Sequence, residues 1–146
     1  MLTIRASNRD DLHELELLLR NSGLPTEDLV DLDFIVLDSG SALVGCAALE
    51  SCGDPSVALL RSLVVAPSMR RTGWGLHLLD AISAHAHNKG VNTLYLLTTT
   101  AQGYFEARGW RRGYRSDAPP ALHSTSMFSS LCPSTAVCMV KNIEPD

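Results

Sequence analysis

No apolar run in this 146-residue chain approaches the ~20 residues that a membrane-spanning helix needs. Met1 to Arg5 leads straight into polar sequence, which argues against a secretory signal and for a cytoplasmic setting without a membrane partner. Cysteine is scarce. Cys46, Cys52, Cys132 and Cys138 include no C-x-x-C pair, so the usual zinc frameworks are excluded. They are expected as reduced, buried small hydrophobes, with a reactive nucleophile as the alternative. His13, His77, His85, His87 and His123 show no ligand spacing beyond His85/His87, which point apart on a helix. They read as structural, and no metal is expected. Internal repeats, linkers and low-complexity tracts are also lacking. A net charge of −4 argues against a general nucleic-acid binder.

What is present is apolar side chain: 45% of residues are hydrophobic and 19% charged. A chain of this length forms one domain, here 1–146, and buries roughly two thirds of its unfolded surface. Charge is unevenly spread. Residues 1–54 hold three basic and eleven acidic side chains, a net −8, whereas residues 55–146 hold nine and five, a net +4. An anionic ligand therefore belongs to the second part. Ten of the 12 basic residues are Arg, whose planar fork suits phosphate and carboxylate.

Periodicity predicts a strand over Leu2–Arg5 and a helix over Asp10–Arg20, ended by Gly23 and Pro25. Thr26–Leu29 reads as one further helical turn. Strands follow at Phe34–Leu37, Ala42–Leu49 and Val57–Val65, separated by turns at Ser39-Gly40 and Ser51–Pro55. Gly73–Asn88 reads as a helix with Leu78, Leu79, Ile82 and Ala86 on one face. Thr93–Thr98 is a strand, Ala101–Arg108 a short helix ended by Gly109, and Trp110–Tyr114 a strand. Asp117–Ser130 is expected to be helical, and Thr135–Asn142 is a last strand. Three adjacent strands form an antiparallel meander. The later ones, separated by helices, can pair in parallel, giving a mixed α/β sheet with helices on its faces.

The most informative segment runs from Leu63 to Gly75. An apolar strand enters a loop with Arg70, Arg71, Gly73 and Gly75, then opens a helix whose first N–H groups and dipole face the loop. Glycine lets a phosphate approach the backbone and Arg adds charge-assisted bonds, so a diphosphate is the expected ligand. A capped helix with solvated arginines is the alternative. A Walker A loop is excluded because no Gly-Lys-Ser/Thr exists, and a dinucleotide fingerprint because Leu78 stands where its third glycine belongs.

Arg70-x-x-Gly73-x-Gly75 after Leu63-x-Val65-x-Pro67 resembles the acetyl-CoA motif of the GCN5-related N-acetyltransferases (GNAT), and the element order resembles that fold over nearly the whole chain. Leu60–Val65, Leu94–Ala101, Ala118-Pro119 and Leu131-Cys132-Pro133 further resemble the arsenic-resistance N-acetyltransferase subgroup, which is similar to the acetyltransferase domain of N-acetylglutamate synthases. The resemblance implies a mainly antiparallel sheet with two splayed parallel strands, here Val57–Val65 and Thr93–Thr98, and an acetyl thioester between them. It implies that Leu63, Val64 and Val65 offer backbone groups to the pantetheine arm. It implies that the loop, Arg70 with Arg71, Thr72, Gly73, Trp74, Gly75 and Leu76, holds the pyrophosphate of acetyl-CoA, a cosubstrate. A homodimer is left open.

Acetyl transfer needs a neutral amine, a polarised thioester and a proton for the leaving thiolate. A backbone N–H near Val64 or Val65 can polarise the carbonyl. The family's base is a Glu on one of the two central strands, at positions that resemble Leu59 and Leu97 here. Glu50 is one candidate from the neighbouring strand, with a surface hairpin residue as its alternative. Deprotonation through water is the preferred route. The family's acid is a Tyr at a position resembling Phe105. Tyr104 stands one place earlier, about 100° around the helix. It is the candidate acid, or else a packing or substrate contact. The family's CoA-binding Asn before this helix has no counterpart, and Thr98, Thr99 and Thr100 offer hydroxyls instead.

Arg61 stands among apolar strand residues, so its charge needs an internal carboxylate or a ligand carboxylate. Resemblance to amino-acid acetyltransferases favours the substrate. Arg108, Arg111, Arg112 and Arg115 form either a solvated face or a contact to the 3′-phosphate of CoA. The expected function is therefore acetyl transfer to the amine of a small carboxylate-bearing molecule, an amino acid or a toxic analogue. The alternative is an acetyl-CoA-binding sensor or partner module without turnover.

Overall fold

The structure, a computed structural model, describes residues 1–125, 127–128 and 135–143. The main elements, in chain order, are β1 (Thr3–Ala6), α1 (Leu12–Asn21), β2 (Asp33–Asp38), β3 (Leu43–Ser51), β4 (Val57–Val65), α2 (Trp74–Asn88), β5 (Thr93–Thr98), α3 (Gln102–Glu106), β6 (Arg111–Gly113), α4 (Pro120–His123) and β7 (Val137–Asn142). The sheet order is β1-β2-β3-β4-β5-β7-β6. The β1–β2, β2–β3, β5–β7 and β6–β7 pairs are antiparallel and β4–β5 is parallel. Parallel pairing of the later strands thus holds for β4 and β5, while β7 runs antiparallel between β5 and β6. Burial follows that order. Cys138, Met139 and Val140 of β7 are buried, whereas β6 carries exposed Arg111 and Arg112, side chains that suit an edge.

The chain divides into two compact units, Met1–Leu49 with Arg61–His85, and Glu50–Leu60 with Ala86–Asp146. In the first, Asn8 opens the helical segment with a capping box. Its side chain accepts from the Asp10 N–H at 2.9 Å and its N–H donates to Asp11 at 2.8 Å. Leu15 and Leu19 of α1 then pack with Phe34, Val36, Leu43, Cys46 and Ala48. The anticipated helical turn at Thr26–Leu29 falls later, as a 3-10 turn at Leu29–Asp31. Leu78, Leu79, Ile82 and Ala86 of α2 are all buried, as their spacing requires. Gly45 sets how closely β3 approaches α2. A Cβ there would lie 2.9 Å from Leu78 Cδ1 and 3.1 Å from the Val64 carbonyl oxygen. His85 Nε2 lies 2.7 Å from Asp33 Oδ2, a structural use of that histidine.

Arg5 ties this unit's N-terminal strand down. Its Nη1 and Nη2 donate to the two Asp11 oxygens at 2.9 and 3.0 Å, and its Nε donates to Asp38 at 3.1 Å. The Arg5 guanidinium holds the buried Asp11 carboxyl below the usual carboxylate range. The Gly40 N–H and then Arg5 do the same for Asp38. A carboxylate with a depressed folded-state pKa adds stability above its unfolded pKa and loses it as pH falls through the folded value. Arg5→Met is therefore expected to cost about 1–3 kcal/mol at neutral pH. It should also flatten the fall of melting temperature below about pH 4. An unchanged acid limb in a melting-temperature series would show that the network does not carry it.

In the second unit, Val57, Ala58 and Leu59 pair with Thr93, Leu94 and Tyr95 at the start of both strands. Val57, Leu59 and Cys138 pack with Ala118, Leu122, Met127 and Phe128. Of the helix expected over Asp117–Ser130, the described residues show a 3-10 turn at Arg115–Asp117, a helical turn at Pro120–His123 and π-helical backbone at Met127 and Phe128. Pro119 is extended at ψ 143°, which prevents the helix from starting earlier. The Ser124 and Thr125 hydroxyls then donate to the carbonyls of Ala121 and Leu122. Residues 126 and 129–134, which include Cys132, lie outside the described residues. Cys46, Cys52 and Cys138 are free thiols. Burial pushes the Cys46 thiol up to about 12 and raises Cys138 as well, the behaviour of inert packing groups.

Candidate active site

β4 changes character at Ser62. Val57 to Arg61 are buried and Ser62 to Val65 are half-buried. Ser62 has φ +59°, a left-handed conformation that interrupts an extended strand. The Cys46 thiol donates to its carbonyl at 3.2 Å. Leu63, Val64 and Val65 follow, and the Ala66 N–H ties the end of the strand to the Val44 carbonyl at 2.8 Å.

A 3-10 turn at Pro67–Met69 leads into the loop. Arg71 and Gly73 both take left-handed backbone, at φ +63° and +87°. The Thr72 hydroxyl donates to the Met69 carbonyl. The His77 N–H donates to the Gly73 carbonyl at 3.2 Å, closing the first turn of α2. The N–H groups of Trp74, Gly75 and Leu76 precede that bond and find no carbonyl inside the helix. Nothing lies within 4 Å of a Cβ placed on Gly73. Arg70 and Arg71 are exposed beside it. Left-handed turns thus lead into a 15-residue helix whose first N–H groups, dipole end and neighbouring guanidinium groups share positive character, an arrangement of the kind that can receive an anion.

Beyond β5 the Thr98 hydroxyl oxygen accepts from the Ala101 N–H at 3.0 Å and steers the chain into α3, while Thr99 and Thr100 are exposed. Phe105 of α3 is buried, its ring 5.7 Å from that of Trp110. Tyr104 is 36% exposed, so the two neighbours face differently, as their helical offset requires. The Arg108 guanidinium carbon lies 3.6 Å from the Tyr104 ring centroid. Arg61 is 4% exposed, in the middle of β4. Glu50 is half-buried near the end of β3. Among the described residues no group of three or more His, Cys, Asp or Glu is placed to hold a metal ion. No helix there is long and apolar enough to cross a membrane.

Residues 31–112 match the family model described as an acetyltransferase (GNAT) domain. The chain belongs to the GNAT acetyltransferase family. An amino-acid acetyltransferase of Pseudomonas putida (strain GB-1) is 34% identical over 99 residues, 68% of this chain and 23% of that protein. The chain thus spans under a third of the length of the curated relatives it matches. N-acetylglutamate synthase from Neisseria gonorrhoeae, solved with coenzyme A and N-acetyl-glutamate, superimposes with a TM-score of 0.84. It is 21% identical and covers 99% of this chain and 36% of its own. A GNAT-family acetyltransferase from Staphylococcus aureus Mu50 matches with a TM-score of 0.77 and 18% identity, covering 99% of this chain and 100% of its own.

Neither Val57–Val65 nor Thr93–Thr98 contains a carboxylate. Phe105 stands buried at the position where the family resemblance calls for a tyrosine. Two features escaped the sequence reading. Left-handed Ser62 and Arg71 carry no sequence signal, because neither residue type favours that backbone. The Tyr104–Arg108 stack had one in its i, i+4 spacing. Of the segments that resemble the arsenic-resistance subgroup, Leu131-Cys132-Pro133 lies outside the described residues.

Proposed function

We propose that this GNAT domain transfers the acetyl group of acetyl-CoA to the amine of a small carboxylate-bearing substrate, such as an amino acid or a toxic amino-acid analogue. The observation that carries the reading is the loop into α2. Left-handed Arg71 and Gly73 leave the N–H groups of Trp74, Gly75 and Leu76 facing out of the helix, beside Arg70 and Thr72. This is a cradle for a pyrophosphate. Leu63, Val64 and Val65 form the half-buried stretch after the Ser62 kink, and their backbone groups serve the pantetheine arm. The relatives named amino-acid acetyltransferase support an amino-acid acceptor.

In this reading a backbone N–H of Val64 or Val65 polarises the thioester carbonyl. Water takes the amine proton, since the two central strands offer no carboxylate. Tyr104 donates the proton that the leaving thiolate needs. Arg61 holds the substrate carboxylate, and Thr98 and Thr99 line the acceptor side. Thiol release from acetyl-CoA, followed across a panel of amino acids and their amides, is expected to be acceptor-dependent and to favour free carboxylates. Equal rates on acids and amides would remove the carboxylate-bearing class.

The missing carboxylate and buried Phe105 favour one second reading, an acetyl-CoA-binding sensor without turnover. It predicts a ligand-dependent melting shift with no thiol release on any acceptor.

A further inference from the structure

We infer that Arg108 is a positioning residue for Tyr104: it clamps the Tyr104 ring in one orientation, so that a tyrosine displaced by one residue from the family's position can serve as the proton donor. The inference rests on the acid role proposed above for Tyr104.

The clamp is defined by its geometry. Tyr104 and Arg108 stand four residues apart, the spacing that brings helical side chains together. The Arg108 guanidinium carbon lies 3.6 Å from the Tyr104 ring centroid, well inside cation–π range. Its Nη1 donates to the Tyr104 carbonyl at 2.7 Å, so one side chain grips both the ring and the backbone of the same residue. The Phe105 ring packs against the tyrosine as well, edge-on at 5.2 Å and 86°. The clamp is itself anchored. Lys141 Nζ donates to the Arg108 carbonyl at 2.9 Å, and Lys141 belongs to β7, which pairs with β5 through six residues. The Trp110 N–H returns to the Phe105 carbonyl at 3.1 Å and closes the end of the turn.

Such support is needed here. α3 has five residues, too few to be stable by its own hydrogen bonds. A half-exposed tyrosine on it would otherwise sample several rotamers. Phe105, at the family's position, is buried and has no hydroxyl, so it cannot act as the acid. Tyr104 has the hydroxyl, and its ring is held by the guanidinium. Arg108 touches neither reactant in this scheme. Its effect passes through Tyr104, and misplacing a proton donor by about 1 Å costs as much as 100-fold.

The experiment compares Tyr104→Phe, Arg108→Met, Arg108→Lys and the Tyr104→Phe/Arg108→Met double variant in steady-state thiol release from acetyl-CoA. The acceptor is the amino acid with the highest turnover in the panel above. Tyr104→Phe and Arg108→Met are each expected to lower kcat by about tenfold or more with an unchanged KM for acetyl-CoA. Arg108→Lys, which keeps a cation over the ring, is expected to recover most of the loss. The double variant should be no slower than Tyr104→Phe alone. If Arg108→Met fails to fold, Arg108→Lys and Arg108→Gln carry the same comparison. An Arg108→Met loss that persists undiminished in the Tyr104→Phe background, or an unchanged kcat for Arg108→Met, overturns the clamp while leaving the acid role intact. A Tyr104→Phe variant with wild-type kcat removes Tyr104 from the chemistry and the clamp's function with it. Absence of thiol release with every acceptor instead sinks the proposed transfer itself.

Discussion

Gly73→Val is expected to abolish the stabilisation by acetyl-CoA that the proposed function requires. At 100-fold excess over the dissociation constant, a ligand that binds only the folded state adds about 2.7 kcal/mol. For a domain of this size that raises the melting temperature by roughly 10 °C. The loop reading places the pyrophosphate on the N–H groups at the start of α2, and the direction of those groups depends on the turn before them. Gly73 holds φ +87° there. A Cβ at this position meets no atom within 4 Å, so valine is not excluded by crowding. It is excluded by its own backbone, because a β-branched residue pays heavily for left-handed φ. The turn will relax to negative φ and swing the N–H groups away. The loop is exposed, so the ligand-free variant should melt within a few degrees of the wild type. Differential scanning fluorimetry with and without millimolar acetyl-CoA makes the measurement. A wild type that shows no shift would refute the acetyl-CoA site, and a full shift in Gly73→Val would move the pyrophosphate elsewhere.

Arg61→Leu is expected to lower activity on a free amino acid by about 1.5–3 kcal/mol, roughly 10- to 150-fold. The corresponding amide or ester should become no worse a substrate than the acid. Arg61 is 4% exposed and follows Val57, Ala58, Leu59 and Leu60, all buried. A guanidinium in such a place must be answered by a carboxylate. Leucine fills the apolar part of the site and removes the charge. If the answering carboxylate is the substrate's, the cost falls on activity and on discrimination between acid and ester. If it is internal, the variant strands that group and should lose about 3–5 kcal/mol of stability. A thermal melt and one acid–ester pair separate the cases. Severe destabilisation, or equal loss on acid and ester, assigns Arg61 to the fold.

Much of the architecture follows from local pattern. β4 and β5 occupy the residues that their apolar runs mark, and α2 buries Leu78, Leu79, Ile82 and Ala86 because these recur at helical spacing. Both are properties of short windows, where burial and periodicity are one signal. The helix expected from Asp117 starts later for a local reason as well: Pro119, extended before Pro120, holds its first turn back to Pro120.

The candidate site was legible to the extent that it is made of residue types. Gly73, Gly75, Arg70 and Arg71 mark the loop before α2 as a candidate site, and Arg61 in an apolar strand announces a buried charge, as its 4% exposure shows. Tertiary structure decided where β7 goes, since a strand's partner depends on packing remote in sequence. It decided that Ser62 takes left-handed backbone within β4, with the Cys46 thiol on its carbonyl from another strand. It decided that Tyr104 and Phe105 divide exposure and burial between them, with Arg108 on the tyrosine ring. Sequence spacing sets which side chains share a helix face. Which face is buried depends on what the rest of the chain packs against it, and only the folded structure contains that.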